Sequence, residues 1–298
     1  MSCPNATAPI DISISKITGN CDYKCSYRFH YNNSSCVATN RGDYISMSYD
    51  KSSAPPVLYN ASGYDVQEIR LYYPSLHSYN GTKTDCELVI IHSSNTGANP
   101  LLVCIPIKSN NTSSISAMFF KTLIDTVANN APAEGESTTV NVPKFNLTSL
   151  VPYKPFFSYS ATEPYQPCTD GVEYIVFSPL QSSLDMMPET LTTLQSIIQS
   201  NSYDVKTGAS LFYNKKGPSS DGNGEIYIDC QPVGSSEEQT DVVTDTGSST
   251  TMSDWLKNPL VKLLLGSLLF IIILYIIKHL LDLLKPAKGG LINMITDK

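Results

Sequence analysis

Histidine is scarce in this chain. Only His30, His77, His92 and His279 occur among 298 residues. Neutral imidazole is the commonest protein ligand for catalytic zinc and the usual general base near neutral pH, so either chemistry has little to draw on here. Positive charge is also sparse over most of the length. Residues 1–253 carry 14 Lys and Arg against 24 Asp and Glu, a net of −10. That excludes generic nucleic-acid binding, which needs a basic footprint. The opening MSCPNATAPIDI has neither the charged n-region nor the apolar h-region of a signal peptide. The expectation is therefore either a signal already removed, with Met1 added, or insertion by the tail after synthesis. Zinc-finger spacing is missing as well. The one short cysteine spacing is Cys21-x3-Cys25, and no histidine pair follows it. No internal repeat is found.

What is present points to strands. Tyrosine is frequent, with 18 residues, and 41% of the chain is hydrophobic. Val, Ile and Thr accompany the tyrosines, a mixture that suits a pleated, half-buried surface. Short β-like runs recur at Tyr44–Tyr49, Val66–Tyr73, Glu87–His92, Leu101–Lys108, Gly171–Phe177 and Glu225–Cys230, with turn-forming clusters between them. The runs ELVIIH and LLVCIPI read as paired strands buried on both faces. Two segments read as helices, Ser116–Asn129 and Pro188–Ser200, the second opening with Pro and Glu in its first turn.

The organisation expected is a folded ectodomain over residues 1–232, a polar flexible stalk over 233–253, a transmembrane helix with its flank over 254–284, and a short basic tail over 285–298. Residues 260–277, LVKLLLGSLLFIIILYII, hold one charge, Lys262. At 1.5 Å per residue they reach about 27 Å, enough to cross a hydrocarbon core. A buried core helix would carry a polar face, and this one carries none. Residues 254–298 hold 6 Lys against 3 Asp. Positive-inside logic then places the C-terminus on the cytoplasmic side and leaves the N-terminal domain exposed. The lipid bilayer is thus the first partner expected.

All eight cysteines, Cys3, Cys21, Cys25, Cys36, Cys86, Cys104, Cys168 and Cys230, precede the apolar tail. An even count on one side of a membrane span reads as disulfides formed in an oxidising setting, with zinc the rival reading. Eight cysteines allow on the order of 100 connectivities. Eight Asn-x-Ser/Thr sequons, at Asn5, Asn32, Asn33, Asn60, Asn80, Asn110, Asn111 and Asn146, are candidate glycan sites.

The stretch Ile69–His92, IRLYYPSLHSYNGTKTDCELVIIH, resembles the strand–loop–strand of the α-class carbonic anhydrases. His77 and Glu87 stand ten residues apart, as that family's structural His and its partner Glu do, and His92 matches the His that ends the second strand. Phe157–Phe177 is similar to a second family stretch, with Tyr159, Pro167, Cys168, Val172 and Phe177 in register. Ala8-Pro9-Ile10-Asp11-Ile12 resembles the family opening. The resemblance implies a mostly β fold with a few helices, built on a central twisted mixed sheet, with the C-terminal transmembrane helix added. It also implies a disulfide between Cys168 and a cysteine near the N-terminus, for which Cys3 is the natural partner.

The catalytic apparatus does not come with the resemblance. Three neutral imidazoles must hold Zn²⁺ with one position open to water. The corresponding positions are Arg70, Tyr72 and Val89. The positions of the gatekeeping Glu and two Thr fall on Leu76, Pro164 and Tyr165. No metal or other cofactor is expected, and no enzyme activity. His77 and Glu87 are read as a satisfied core pair, Arg70 as paired with a nearby carboxylate, and Tyr72, Tyr73 and Tyr165 as fillers of the emptied cavity. Domain, stalk, span and basic tail together resemble the carbonic-anhydrase-like cell-surface-binding envelope proteins of poxviruses. That implies a non-catalytic attachment protein on a virion membrane, recognising a host-surface glycan or protein. The alternative is a structural membrane protein that binds capsid or other virion proteins. A net of −10 over residues 1–253 repels sulfated polysaccharides at long range, which favours a neutral glycan or a protein as ligand.

Overall fold

The structure, a computed structural model, describes residues 3–219 and Lys278. The expected strand Glu225–Cys230, Cys230 itself, the stalk, the span at 260–277 and the rest of the tail lie outside the described residues. Contacts divide the chain into the units Met1–Gly224 and Glu225–Lys298, and every strand and helix named below belongs to the first. Among the described residues no helix is long and apolar enough to cross a membrane.

The elements run β1 (Asp11–Ile12), β2 (Ile17–Asn20), β3 (Tyr27–Phe29), β4 (Val37–Asn40), β5 (Tyr44–Met47), β6 (Val57–Tyr59), β7 (Ser62–Tyr72), β8 (Ser78–Tyr79), β9 (Thr82–Lys83), β10 (Cys86–Ser94) and β11 (Leu101–Ser109). Then come α1 (Ile115–Asn130), β12 (Ser137–Thr139), β13 (Phe156–Ala161), β14 (Val172–Phe177), β15 (Leu184–Met186), α2 (Pro188–Ile197) and β16 (Leu211–Asn214). The main sheet has the order β12-β4-β5-β7-β10-β11-β14-β13-β16-β2. Along this order the pairings are antiparallel except at β11–β14 and β16–β2, and β15 also joins β11 in parallel, so the sheet is mixed, as expected.

β10 and β11 show why the centre forms. Both are rich in β-branched residues and Leu, and they pair antiparallel from Cys86↔Ile107 to His92↔Leu101. Successive side chains point to opposite faces. Leu88, Ile90, Val103 and Ile105 therefore enter one core, while Val89, Leu102 and Cys104 enter another. The first core is closed by α1. Ala117, Phe120, Leu123, Ile124 and Val127 recur at helical spacing and are fully buried. The Ser114 hydroxyl caps that helix by accepting from the Ala117 N–H at 3.3 Å. The second core contains Tyr72, Tyr79, Tyr159, Tyr165 and Tyr174, with Ala8, Ile10 and Ile12 of the N-terminal segment packed among them. The functional question concerns this tyrosine-rich face.

Three expectations need correction. The second helix ends at Ile197, not Ser200, because Ile198 is already extended at φ −127, ψ 155. Tyr73 is only partly buried and packs against the first core, so it does not join Tyr72 and Tyr165. Cys36, Cys86 and Cys104 are buried free thiols, not half-cystines. Each lies among apolar side chains and behaves as a small hydrophobe there. The bonds present are Cys3–Cys168, the pairing the resemblance implied, and Cys21–Cys25.

Candidate functional site

Arg70 lies opposite Val89 across β7 and β10 and opposite Ser46 across β7 and β5. Tyr72 follows two residues later and so shares the same face of the sheet. The structure thus brings Arg70, Tyr72 and Val89 together, with Val89 and Tyr72 fully buried. The Arg70 side chain keeps 14% of its surface. Its Nε and Nη2 donate to Glu68 Oε2 at 2.8 and 2.7 Å, and its Nη1 donates to the Tyr72 hydroxyl at 3.3 Å. The rings of Tyr165 and Tyr44 lie 4.5 and 4.9 Å from the guanidinium carbon, so the cation also gains from both π-faces. Glu68 is fixed in turn by the Ser46 hydroxyl, which donates to Oε1 at 2.5 Å. Burial works against the Arg70 charge, but Tyr72, Tyr165 and Glu68 outweigh it and hold the group protonated. Burial pushes the Tyr72 phenol well above its ordinary range, with Arg70 opposing only in part.

This donor set does not fit zinc. A guanidinium has no lone pair to offer, valine has no donor atom, and a phenol held in its neutral form is a poor metal ligand. A second cluster, His77, Glu87 and Cys104, has donor atoms within 4.8 Å of one another and is fully buried. It fits a metal no better, because both ring nitrogens of His77 are already engaged. Nδ1 lies 2.7 Å from Glu87 Oε1, and Nε2 lies 2.6 Å from the Tyr159 hydroxyl. Glu87 Oε2 also accepts from the Leu76 and His77 backbone N–H groups at 2.6 and 3.0 Å. Burial raises the Glu87 carboxyl, but His77 and these N–H groups outweigh it and bring it below its usual value. The Cys104 thiol is driven well above its ordinary value by burial. The result is a satisfied polar network, which fixes Leu76 and His77 against β10.

The remaining candidate positions fall around these two groups. Leu76 is buried and reaches the network only through its backbone. Pro164 is buried, and its carbonyl accepts from the Cys3 N–H at 2.9 Å. Tyr165 stacks on Tyr72 at 6.4 Å between ring centroids. The hydroxyls of Tyr165 and Tyr174 are buried without a hydrogen-bond partner among the described residues. Nearby Glu163 is raised above its usual value by burial, which its bonds to Thr169 offset only in part. Seven of the sequon asparagines, Asn5, Asn32, Asn33, Asn60, Asn80, Asn110 and Asn111, are exposed, whereas Asn146 is half-buried and caps a turn by accepting from the Thr148 N–H.

Sequence reasoning missed Tyr159 as the third member of the His77 network. It lies 82 residues from His77 in sequence, and no local spacing could connect them. It also left unnamed the partner of Arg70. Glu68, two residues earlier on the same strand, could have been found by the period-2 rule.

The profile of the eukaryotic-type carbonic anhydrase family matches residues 3–211. Solved structures agree at the level of the fold. An α-carbonic anhydrase from Thermovibrio ammonificans, bound to the inhibitor sulfanilamide, is 18% identical with TM-score 0.58, over 70% of this chain and 86% of its own. Dioscorin complexed with ascorbate is 16% identical with TM-score 0.59, over 72% and 87%. The Photobacterium profundum α-carbonic anhydrase is 15% identical with TM-score 0.58, over 70% and 89%. A search of curated protein sequences gave no match. With a family profile covering 3–211 of 298 residues, and with a mixed sheet and two helices to match, the chain belongs to the eukaryotic-type carbonic anhydrase family.

Proposed function

We propose that this domain is a non-catalytic recognition module, carried on a membrane anchor and displayed on a virion envelope, where it binds a host-surface glycan or protein. The observation that carries the reading is the row Arg70, Tyr72 and Val89. Where the resemblance calls for three zinc-binding imidazoles, the chain has an ion-paired guanidinium, a neutral phenol and an aliphatic side chain. Hydration of CO₂ by this family's chemistry needs the metal to lower the pKa of bound water to about 7, and nothing in the row supplies that effect. A scaffold that loses its reaction keeps a rigid surface, and function then rests on what that surface binds. The anchor is supported by the apolar run at 260–277 and the basic residues that follow it.

Metal analysis and CO₂ hydration assays on the purified chain test the reading. The expected result is no stoichiometric zinc and no hydration above the buffer rate. One zinc per chain with measurable turnover would return the domain to the enzymes.

A further inference from the structure

An open groove of about 350 Å³ crosses β4, β5 and β7 beside the Arg70–Glu68 pair. Its polar lining is Thr39, Arg41, Ser46, Ser48, Gln67 and Glu68, and Val37 adds an apolar patch that is 39% exposed. The sheet fixes this arrangement. Thr39 lies opposite Ser46, and Ser46 lies opposite Arg70, so one row of side chains runs from the groove to the filled pocket.

The groove's hydrogen-bonding groups divide into a fixed floor and a less committed rim. On the floor, Glu68 is held by Ser46 and Arg70. It accepts three hydrogen bonds there, and an ionised carboxylate has about four acceptor positions. The Thr39 hydroxyl is bonded to the Ser137 hydroxyl at 2.8 Å, and Ser48 Oγ accepts from the Val37 N–H at 3.0 Å. At the rim, Arg41 and Gln67 are exposed, and neither side chain forms a hydrogen bond or ion pair among the described residues. Donor and acceptor groups thus lie together beside an aliphatic surface.

We infer that this groove is a saccharide-binding site that takes a neutral hexose unit of a glycan. The inference rests on the surface-recognition reading and gives it a location. Sugar hydroxyls both donate and accept, so they match a lining of carboxylate, amide, guanidinium and hydroxyl groups. The C–H face of a pyranose ring needs apolar contact, which Val37 provides. The volume is at the small end for ligand sites and suits a single ring with its neighbours leading out into solvent. Charge selects against acidic sugars. Within the site Arg70 offsets Glu68 and Arg41 leaves one positive charge at the rim, so the selection is long-range: residues 1–253 carry a net of −10, which repels an approaching polyanion.

The test is an array of neutral, sulfated and carboxylated oligosaccharides probed with the full-length chain in detergent micelles, followed by saturation-transfer NMR on the hits. Arg41→Ala and Gln67→Ala remove exposed side chains and leave the core untouched. Lys121→Ala, on exposed α1 surface, is the control. The expected result is binding to neutral oligosaccharides that each groove variant weakens about tenfold, the scale of one lost hydrogen bond to a polar or charged group, and that the control leaves unchanged. Binding confined to sulfated or carboxylated glycans, or neutral binding indifferent to both groove variants, overturns the assignment of the groove while surface recognition stands. Absence of binding to every glycan also overturns it, and capture of host-surface proteins by the same chain then decides the wider reading separately.

Discussion

His92 sits near the end of β10 with no exposed surface. Its Nδ1 lies 3.1 Å from the Leu101 carbonyl and its Nε2 lies 2.9 Å from the Tyr31 hydroxyl. A carbonyl only accepts, so Nδ1 carries the proton and Tyr31 donates to Nε2. Both nitrogens are satisfied in the neutral ring. Burial pushes the pKa from 6.5 down to about 4, with the backbone carbonyls of Leu101 and Ile90 opposing in part. The unfolded chain takes up a proton near 6.5, whereas the folded chain refuses it until about 4. The unfolded state therefore binds more protons between those values. The contribution of His92 is fully present above 6.5 and is lost as the pH falls to 4, a loss of about 3 kcal/mol. Other groups move over the same range. Glu163 and Glu173, pushed up by burial, favour the folded state on acidification, while Asp50 and Asp170, held low by hydrogen bonds from Ser35 and Thr162, oppose it. Comparison with a His92→Gln variant removes these shared contributions. Urea unfolding of residues 1–232 should be followed for both proteins from about pH 7.5 to about pH 4.5. The stability difference, wild type minus variant, should shrink by about 2.5 kcal/mol across the window. A difference that stays constant with pH would refute the reasoning, since His92 would then not be the group held neutral by the fold.

Three further outcomes are expected. Arg70→Ala leaves the Glu68 carboxylate with the Ser46 hydroxyl as its remaining side-chain donor and should cost about 2 kcal/mol, discounted for the exposure both side chains keep. The double variant Glu68→Met with Arg70→Met should cost less than Arg70→Ala alone, as read from urea midpoints. Tyr159→Phe removes one hydrogen bond to His77 and should cost about 1 kcal/mol, whereas His77→Ala leaves Glu87 buried with its main partner gone and should cost about 3–5 kcal/mol. Equal losses from the two would show that the network is not organised around Glu87. A water-soluble maleimide should leave Cys36, Cys86 and Cys104 unmodified in the folded protein, because all three are buried thiols and Cys104 is far above its ordinary pKa. Denaturation without reductant should expose them, while Cys3, Cys21, Cys25 and Cys168 should stay blocked until reduced. Mass spectrometry of the labelled peptides reads both steps.

The centre of the sheet was legible because its chemistry is local and dense. ELVIIH and LLVCIPI read as strands buried on both faces, and they became β10 and β11. The first helix, read as Ser116–Asn129, runs Ile115–Asn130. The short strands were not legible. β2, β3, β6 and β16 are three or four residues long, and pairing with their neighbours stabilises them more than any pattern of their own. β7 runs from Ser62, four residues ahead of the expected start at Val66, because β6 and β10 both pair with its polar beginning. In the candidate site, the ten-residue spacing of His77 and Glu87 was readable, and the two side chains meet at 2.7 Å. Cysteine arithmetic misled, since a buried free thiol and a half-cystine look alike in a count. Cys36, Cys86 and Cys104 were expected in bridges because the count is even and falls on one side of the expected span, with their pairing left open.

The order of strands in the sheet also sets a schedule for the growing chain. β2 pairs in parallel with β16, Ile17 beside Leu211, so a strand made among the first waits for the last described strand before it has any strand neighbour among the described residues. At roughly 5–20 residues per second the wait is roughly 10–40 s. Through that interval Ile17–Asn20 offers an open edge to any other extended segment nearby. The antiparallel run from β4 to β11 needs no such delay, because its strands find their partners as they are made. The molecule's hazard during synthesis therefore lies at its two ends, and a ribosome stalled before residue 211 would release a nearly finished sheet that still lacks its closing edge.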